Sequence, residues 1–265
     1  MNNMLLGRFI QGHSFPYRLD PRSKLLTTIF FVFIIFFANN WESYALMIAY
    51  TGILMHSTKV QLRVFYNGLK PLIFLILFTS ALQLFFVRIG TEYFHFGPFY
   101  ITSGGIINAI FIFIRFTLII LMSTILTVTT SSVEIASGLT WLLNPLRYVN
   151  VPVDDIALMM SISLRFVPTL FEKFLSIMKA QRARGAILNE GGLIKRAKSL
   201  LPLIIPLFVK SVDAALTLST AMESRGYRDV KTRSHYRIMK WGITDLMHVI
   251  VFVIVVILMM LLRTE

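Results

Sequence analysis

Two short triplets carry the clearest chemistry in this sequence. Ala183-Arg184-Gly185 closes the stretch that begins at Gln181, and Ser224-Arg225-Gly226 closes the stretch that begins at Ala221. In each, a small residue precedes an arginine and a glycine follows; the arginines stand 41 positions apart. A guanidinium is a planar, permanently charged fork that grips a carboxylate through two parallel N–H···O bonds, a geometry lysine lacks. Glycine is the usual residue at the left-handed position just past a helix end. The triplets therefore read in two ways. They are either ordinary helix stops with arginine set against the negative end of the helix dipole, or two helix tips presenting bidentate donors to a partner with two similar sockets.

Other reactive constellations are missing from the sequence. There is no cysteine, so neither a disulfide framework nor a thiolate metal site can form. His13, His56, His95, His235 and His248 are scattered, with no His-x-x-x-His pair and no neighbouring carboxylate cluster. No G-x-x-x-x-G-K-[ST] occurs to cradle ATP phosphates, and Ser, His and Asp gather in no recognisable nucleophile motif. The sequence thus predicts a chain without catalytic residues, cofactor site or metal site of its own.

The elements that must position the two arginines follow from composition. Of 265 residues, 56% are hydrophobic and only 15% charged, against roughly 25% charged in soluble domains. This is the composition of a membrane protein. Apolar runs fall at 25–38, 44–55, 71–87, 105–130 and 246–262. The third and fifth give about 25 Å each and the fourth about 39 Å, against a hydrocarbon core of ~30 Å. The first two are short, but only Asn39-Asn40-Trp41-Glu42-Ser43 separates them, so they cross as a hairpin or not at all.

The net charge of +13 then orients the chain. Arg8, Arg18, Arg22 and Lys24 precede the first run, and the first loop has no cation. The second loop has Lys59, Arg63 and Lys70, the third only Arg88, residues 131–240 have sixteen, and Arg263 alone follows the last run. Basic and bare segments alternate, which predicts a cytoplasmic N-terminus, five crossings and an extracellular C-terminus. Trp41 and Trp241 fit the two interfacial belts, and no small-x-small cleavage site follows Ala38. Cations distributed by topology also speak against nucleic-acid binding; Lys195, Arg196 and Lys198 suit anionic lipid headgroups or neighbouring subunits. The apolar runs contain no Asp or Glu, and their one mid-run cation is Arg115, flanked by Ile114 and Phe116. That argues against a proton relay, the signature of the rival reading as a stand-alone secondary transporter or channel. Arg115 must face protein or snorkel.

The expected organisation is an all-α, polytopic membrane protein with about five transmembrane helices. Residues 1–130 form a membrane region of four helices, 131–240 a cytosolic helical domain and 241–265 the last helix. Within 131–240 the apolar stretches are broken by Arg165, Pro168, Pro202 and Pro206, and none is expected to span. Ser131-x-x-Glu134 reads as a capping box, Asn144-Pro145 as a stop, and Pro152 with Asp154 and Asp155 as a helix start. One long helix then runs from about 153 toward Arg184, bent at Pro168. Another follows the Gly191-Gly192 break, jogs at Pro202 and Pro206, and reaches about Arg225. The apolar faces of this segment, Ile156 to Met160 with the adaptable Met159-Met160 pair and Leu203 to Val212, serve either mutual packing or a partner.

These residues resemble the transmembrane T component of energy-coupling factor (ECF) transporters, prokaryotic importers of vitamins and trace metals. Gly7-Arg8-Phe9-Ile10 and Leu19-Asp20-Pro21-Arg22-Ser23-Lys24-Leu25 look like that family's N-terminal signature. Arg165-Phe166-Val167-Pro168 and the block from Leu201 to Phe208 look like its middle, and the two triplets like its paired small-Arg-Gly motifs. The resemblance covers essentially the whole chain, and the second triplet departs from Ala-Arg-Gly only by Ser224 for Ala. It implies that two cytosolic ABC-type ATPase subunits, which bind the ATP, each receive one tip through Ala183, Arg184 and Gly185 or Ser224, Arg225 and Gly226. It also implies a small membrane S component that binds the substrate, with Met159, Met160, Pro202 and Pro206 as its candidate contacts. The bacterial cell membrane would be its location.

Overall fold

The computed structural model describes residues 12, 14–87, 89–96, 99–186, 192–227 and 241–262. The Gly7-Arg8-Phe9-Ile10 block, His13, Arg88, His235 and Arg263 lie outside them. The chain is almost entirely helical and divides into two compact units, one comprising Gly7–Leu142 with Met239–Glu265, the other containing Leu143–Ile238.

The first unit holds α1 (Phe15–Arg18), α2 (Pro21–Ile34), α3 (Trp41–Thr58), α4 (Leu62–Leu69), α5 (Ile73–Phe86), α6 (Ser103–Thr129), α7 (Ser132–Leu143) and α10 (Ile243–Leu262). Asp20 caps α2 by accepting from the Arg22 N–H, with Pro21 at the first helical position, where its missing N–H costs nothing. A 3-10 turn, Ile35–Phe37, extends α2, and together they run about 27 Å, as α3 does. Both fall slightly short of a ~30 Å hydrocarbon core. The core is apolar and aromatic: Phe31, Tyr44, Met47, Phe111, Met122 and Met259 are buried together. An antiparallel hairpin, β1 (Glu92–Phe96) and β2 (Phe99–Thr102), lies between α5 and α6. The sequence reading took this stretch as a loop; its aromatic and β-branched residues suit strands.

The capping box stands as read: Glu134 N–H donates to Ser131 Oγ at 3.3 Å, and Ser131 N–H to the Glu134 carboxylate at 3.1 Å. The helix it starts, α7, packs on α2, where a Cβ at Gly138 would meet Leu25 at 2.5 Å. The second compact unit accordingly begins at Leu143, twelve residues beyond the expected start of the cytosolic domain.

Arg115 faces protein. Its Nη2 donates to the Ala38 carbonyl at 3.1 Å, and the guanidinium lies over the Phe36 and Tyr44 rings. Ala38 ends the 3-10 turn and is buried, so the cation meets the partial negative charge of a helix end inside the protein and two π-faces. That accounts for a charge near the middle of a 27-residue apolar helix with no ionic partner among the described residues.

The second unit is built from α8 (Val153–Ala183) and α9 (Leu193–Ser224), preceded by a 3-10 stretch, Asn144–Val149. Asp154 and Asp155 occupy the first turn of α8, and Arg147 pairs with Asp154. Pro168, Pro202 and Pro206 all lie inside continuous helices, and α9 runs through both of its prolines to Ser224, as expected. Proline at 206 has no N–H for the Pro202 carbonyl, the bond a helix would otherwise make. Gln181 of α8 supplies it instead, donating from Nε2 at 3.3 Å. Being unbroken, Lys198–Ser224 joins Ser103–Thr129 and Ile243–Leu262 as helices long and apolar enough to cross a membrane, among the described residues; the bent pair α4 and α5 makes a fourth if counted as one span. The expectation that nothing in 131–240 could span is therefore not met by length and composition.

Candidate functional site at two arginine-bearing helix ends

The last turns of α8 and α9 are the same structure built twice. At the first, Ala186 N–H donates to the Gln181 carbonyl at 3.0 Å and Gly185 N–H to the Arg182 carbonyl at 3.0 Å. At the second, Tyr227 N–H donates to Met222 at 3.0 Å and Gly226 N–H to Glu223 at 2.9 Å. These nested bonds define the Schellman motif, which satisfies carbonyls a helix end leaves orphaned. It requires a left-handed residue, and Gly185 and Gly226 have φ of +84° and +74°. A Cβ at either would find open space within 4 Å, so conformation rather than room makes them glycine.

Each arginine is the residue just before that turn, with nearly the same backbone: φ −85°, ψ 8° at Arg184 and φ −88°, ψ 11° at Arg225. Both side chains are exposed, and neither has a carboxylate partner among the described residues. Ala183 and Ser224 sit one residue earlier, both exposed. The Ser224 hydroxyl turns back to the Ala221 carbonyl at 3.1 Å, so serine stands for alanine without offering a new polar group outward. Two preformed tips thus each present one guanidinium fork unpaired among the described residues.

Their separation follows from the helix packing. The end of α8 lies against α9 at Pro202, inside that helix, through Gln181, whereas Arg225 is 23 residues farther along. At ~1.5 Å per residue the tips are up to about 35 Å apart. Met159 and Met160, by contrast, lie 21 or more residues from Gln181 along α8, about 30 Å away from Pro202. The four candidate S-component residues therefore do not form one cluster: Met159 and Pro202 are exposed, Met160 and Pro206 half-buried.

The family follows from comparison over the full length. Residues 12–236 match the family described as cobalt transport protein, CbiQ. The chain is 53% identical to the energy-coupling factor transporter transmembrane protein EcfT of Lactobacillus helveticus, over all of this chain and 96% of that one. It is 45% identical to EcfT 1 of Listeria monocytogenes over the whole of both, and 42% identical to EcfT of Bacillus subtilis over 99% of each. This chain belongs to the EcfT family. It is a transmembrane component of an energy-coupling factor transporter, located in the membrane.

One feature of this EcfT chain escaped the sequence reading. Asp245, at the start of α10 and nearly fully buried, accepts from Asp20 N–H at 2.6 Å, Ser23 Oγ at 3.2 Å and Gly242 N–H at 2.9 Å. Lys24, also buried, donates to the Thr129 carbonyl at 3.0 Å, and Thr27 pairs with His248 at 3.2 Å. The Asp20-Pro21-Arg22-Ser23-Lys24 block thus ties the start of α2 to the start of α10 and the end of α6. The available signal was an aspartate one residue outside the last apolar run and a lysine one residue before the first.

Proposed function

We propose that this EcfT chain is the mechanical coupling subunit of an ATP-driven importer, joining two cytosolic ABC-type ATPase subunits to a substrate-binding membrane S component. The pair of matching, preformed helix ends, whose arginines have no carboxylate partner among the described residues, supports this most directly. One such end suits any helix stop; two, set up to about 35 Å apart, suit a partner with two separated sockets. Arg184 and Arg225 would each enter one ATPase subunit and pair with an acidic residue there. Closure of the ATPase pair on ATP would draw the tips together, and α8 and α9 would carry the motion to the S component. ATP and its hydrolysis belong to the ATPases in this scheme, and substrate recognition, of a vitamin or other micronutrient, to the S component.

The same reading places residues 131–240 on the cytoplasmic side, with the N-terminus cytoplasmic and the C-terminus extracellular. Although Lys198–Ser224 is apolar enough to span, it carries Lys210 and Asp213 on exposed surface near its middle, which a lipid-buried helix disfavours. Its exposed Ile204, Ile205, Phe208 and Val209, with Pro202 and Pro206, offer the S component an apolar face; Met159 and Met160 would serve a separate contact. Tagged chain should co-purify with ATPases and a small hydrophobic protein, whereas a stand-alone transporter would emerge alone. The decisive variants are Arg184→Glu and Arg225→Glu, which should release the ATPases while leaving membrane insertion intact. Normal uptake by the double charge reversal would sink the assignment.

A further inference from the structure

The turn and short helix between α3 and α5 carry a pattern that the coupling role does not use. Lys59, Arg63, Tyr66, Asn67 and Lys70 are exposed, as is Leu62, while Phe65 and Gly68 on the opposite side of α4 are buried. At 100° per residue the exposed side splits into an apolar edge, Leu62 and Tyr66, and a polar edge, Arg63 and Asn67, with Lys70 between them. No Asp or Glu occurs from residue 43 to 91, and none of the three cations forms an ion pair with a described residue. Lys59 takes a left-handed conformation, φ 56°, as the C-cap of α3, its N–H donating to the His56 carbonyl. It is thereby fixed at the turn into α4.

Geometry sets the depth of this surface. The 14 residues of α5 give about 21 Å, too little for a ~30 Å hydrocarbon core. Its axis breaks from that of α4 by 59°. With α5 near the membrane normal, α4 would lie roughly 31° from the membrane plane. A helix at that pitch keeps Leu62 and Tyr66 in the acyl boundary while Arg63 and Lys70 reach outward, which is how interfacial helices sit.

We propose that α4 is an interfacial helix that binds anionic phospholipid through Lys59, Arg63 and Lys70. Eight residues would make a weak free-standing anchor, but α5 holds this helix at the surface, so the three cations need only select among neighbouring headgroups. An isolated cluster of cations with no acidic residue for 49 positions complements a phosphodiester rather than a zwitterionic headgroup. Each cation near such a surface is worth about a fivefold preference, so all three give up to roughly a hundredfold at low ionic strength.

The test uses the full chain, purified in detergent and offered equal phosphatidylglycerol and phosphatidylcholine. Retained lipid should be predominantly phosphatidylglycerol, and that preference should fall as salt rises. Lys59→Gln, Arg63→Gln and Lys70→Gln together should remove most of it, whereas Arg63→Lys should keep it. Because the chain has no cysteine, Tyr66→Cys gives a single spin-label site. In bilayer discs that label should relax more with lipid-soluble oxygen than with a water-soluble nickel complex. Equal retention of the two lipids, a salt-independent preference, or a label reached only from water would each overturn the proposal. So would protection of the label by protein partners in the assembled transporter, since α4 would then be a protein interface.

Discussion

Replacing Gly185 and Gly226 by alanine isolates the contribution of helix-end geometry to partner binding. Neither new methyl group meets an atom within 4 Å, so packing is untouched and the whole effect lies in the backbone. At φ of +84° and +74°, a non-glycine residue costs roughly 1–2 kcal/mol. The free variant can relieve that strain by opening the nested bonds from Ala186 to Gln181 or from Tyr227 to Met222, which releases the arginine from its set orientation. A partner that needs the closed tip must then supply the strain energy. Each single variant should therefore weaken ATPase association by up to 5–30-fold. The double variant should multiply the two effects, because the tips are far apart and share no neighbours. Asparagine tolerates the left-handed region better than alanine, so Gly185→Asn and Gly226→Asn should lose less. Titration of purified ATPase pair onto chain held in bilayer discs measures this, with insertion and thermal unfolding followed in parallel. Wild-type affinity in both alanine variants, or equal losses for alanine and asparagine, would show that the closed tip is not what the partner reads.

Two further outcomes are expected. Asp245→Ala should lower the thermal unfolding midpoint of the purified chain by the equivalent of about 3 kcal/mol, because two buried donors and one part-buried donor lose their acceptor together. Asp245→Asn, which keeps one acceptor oxygen, should recover part of that, and an unchanged midpoint in the alanine variant would remove the role given to the buried cluster. A topology reporter fused after Glu265 should be active only outside the cell; cytoplasmic activity there would mean an even number of crossings.

Local signals carried much of this structure. The Ser131-x-x-Glu134 box, the acidic first turn after Pro152 and the glycines at 185 and 226 all act through bonds within a few residues, and each stands where the sequence placed it. Arg115 was recognisable as a charge that must face protein, but the Ala38 carbonyl that holds it lies 77 positions away. The run of α9 through Pro202 and Pro206 was legible, but proline predicts a missing hydrogen bond, and nothing in the local sequence shows that Gln181 replaces it. The hairpin between β1 and β2 was missed because two short strands leave little periodic pattern.

By itself, the sequence determined a helical membrane chain, its uneven charge and two arginine-bearing helix ends, since composition, hydrophobic runs and caps are properties of neighbouring residues. Only the tertiary structure showed how far apart the two ends stand along α9, and that Asp245 fastens α10 to the block of residues 19–25. Those facts depend on bonds between residues tens to hundreds of positions apart, where one-dimensional spacing carries no record of distance.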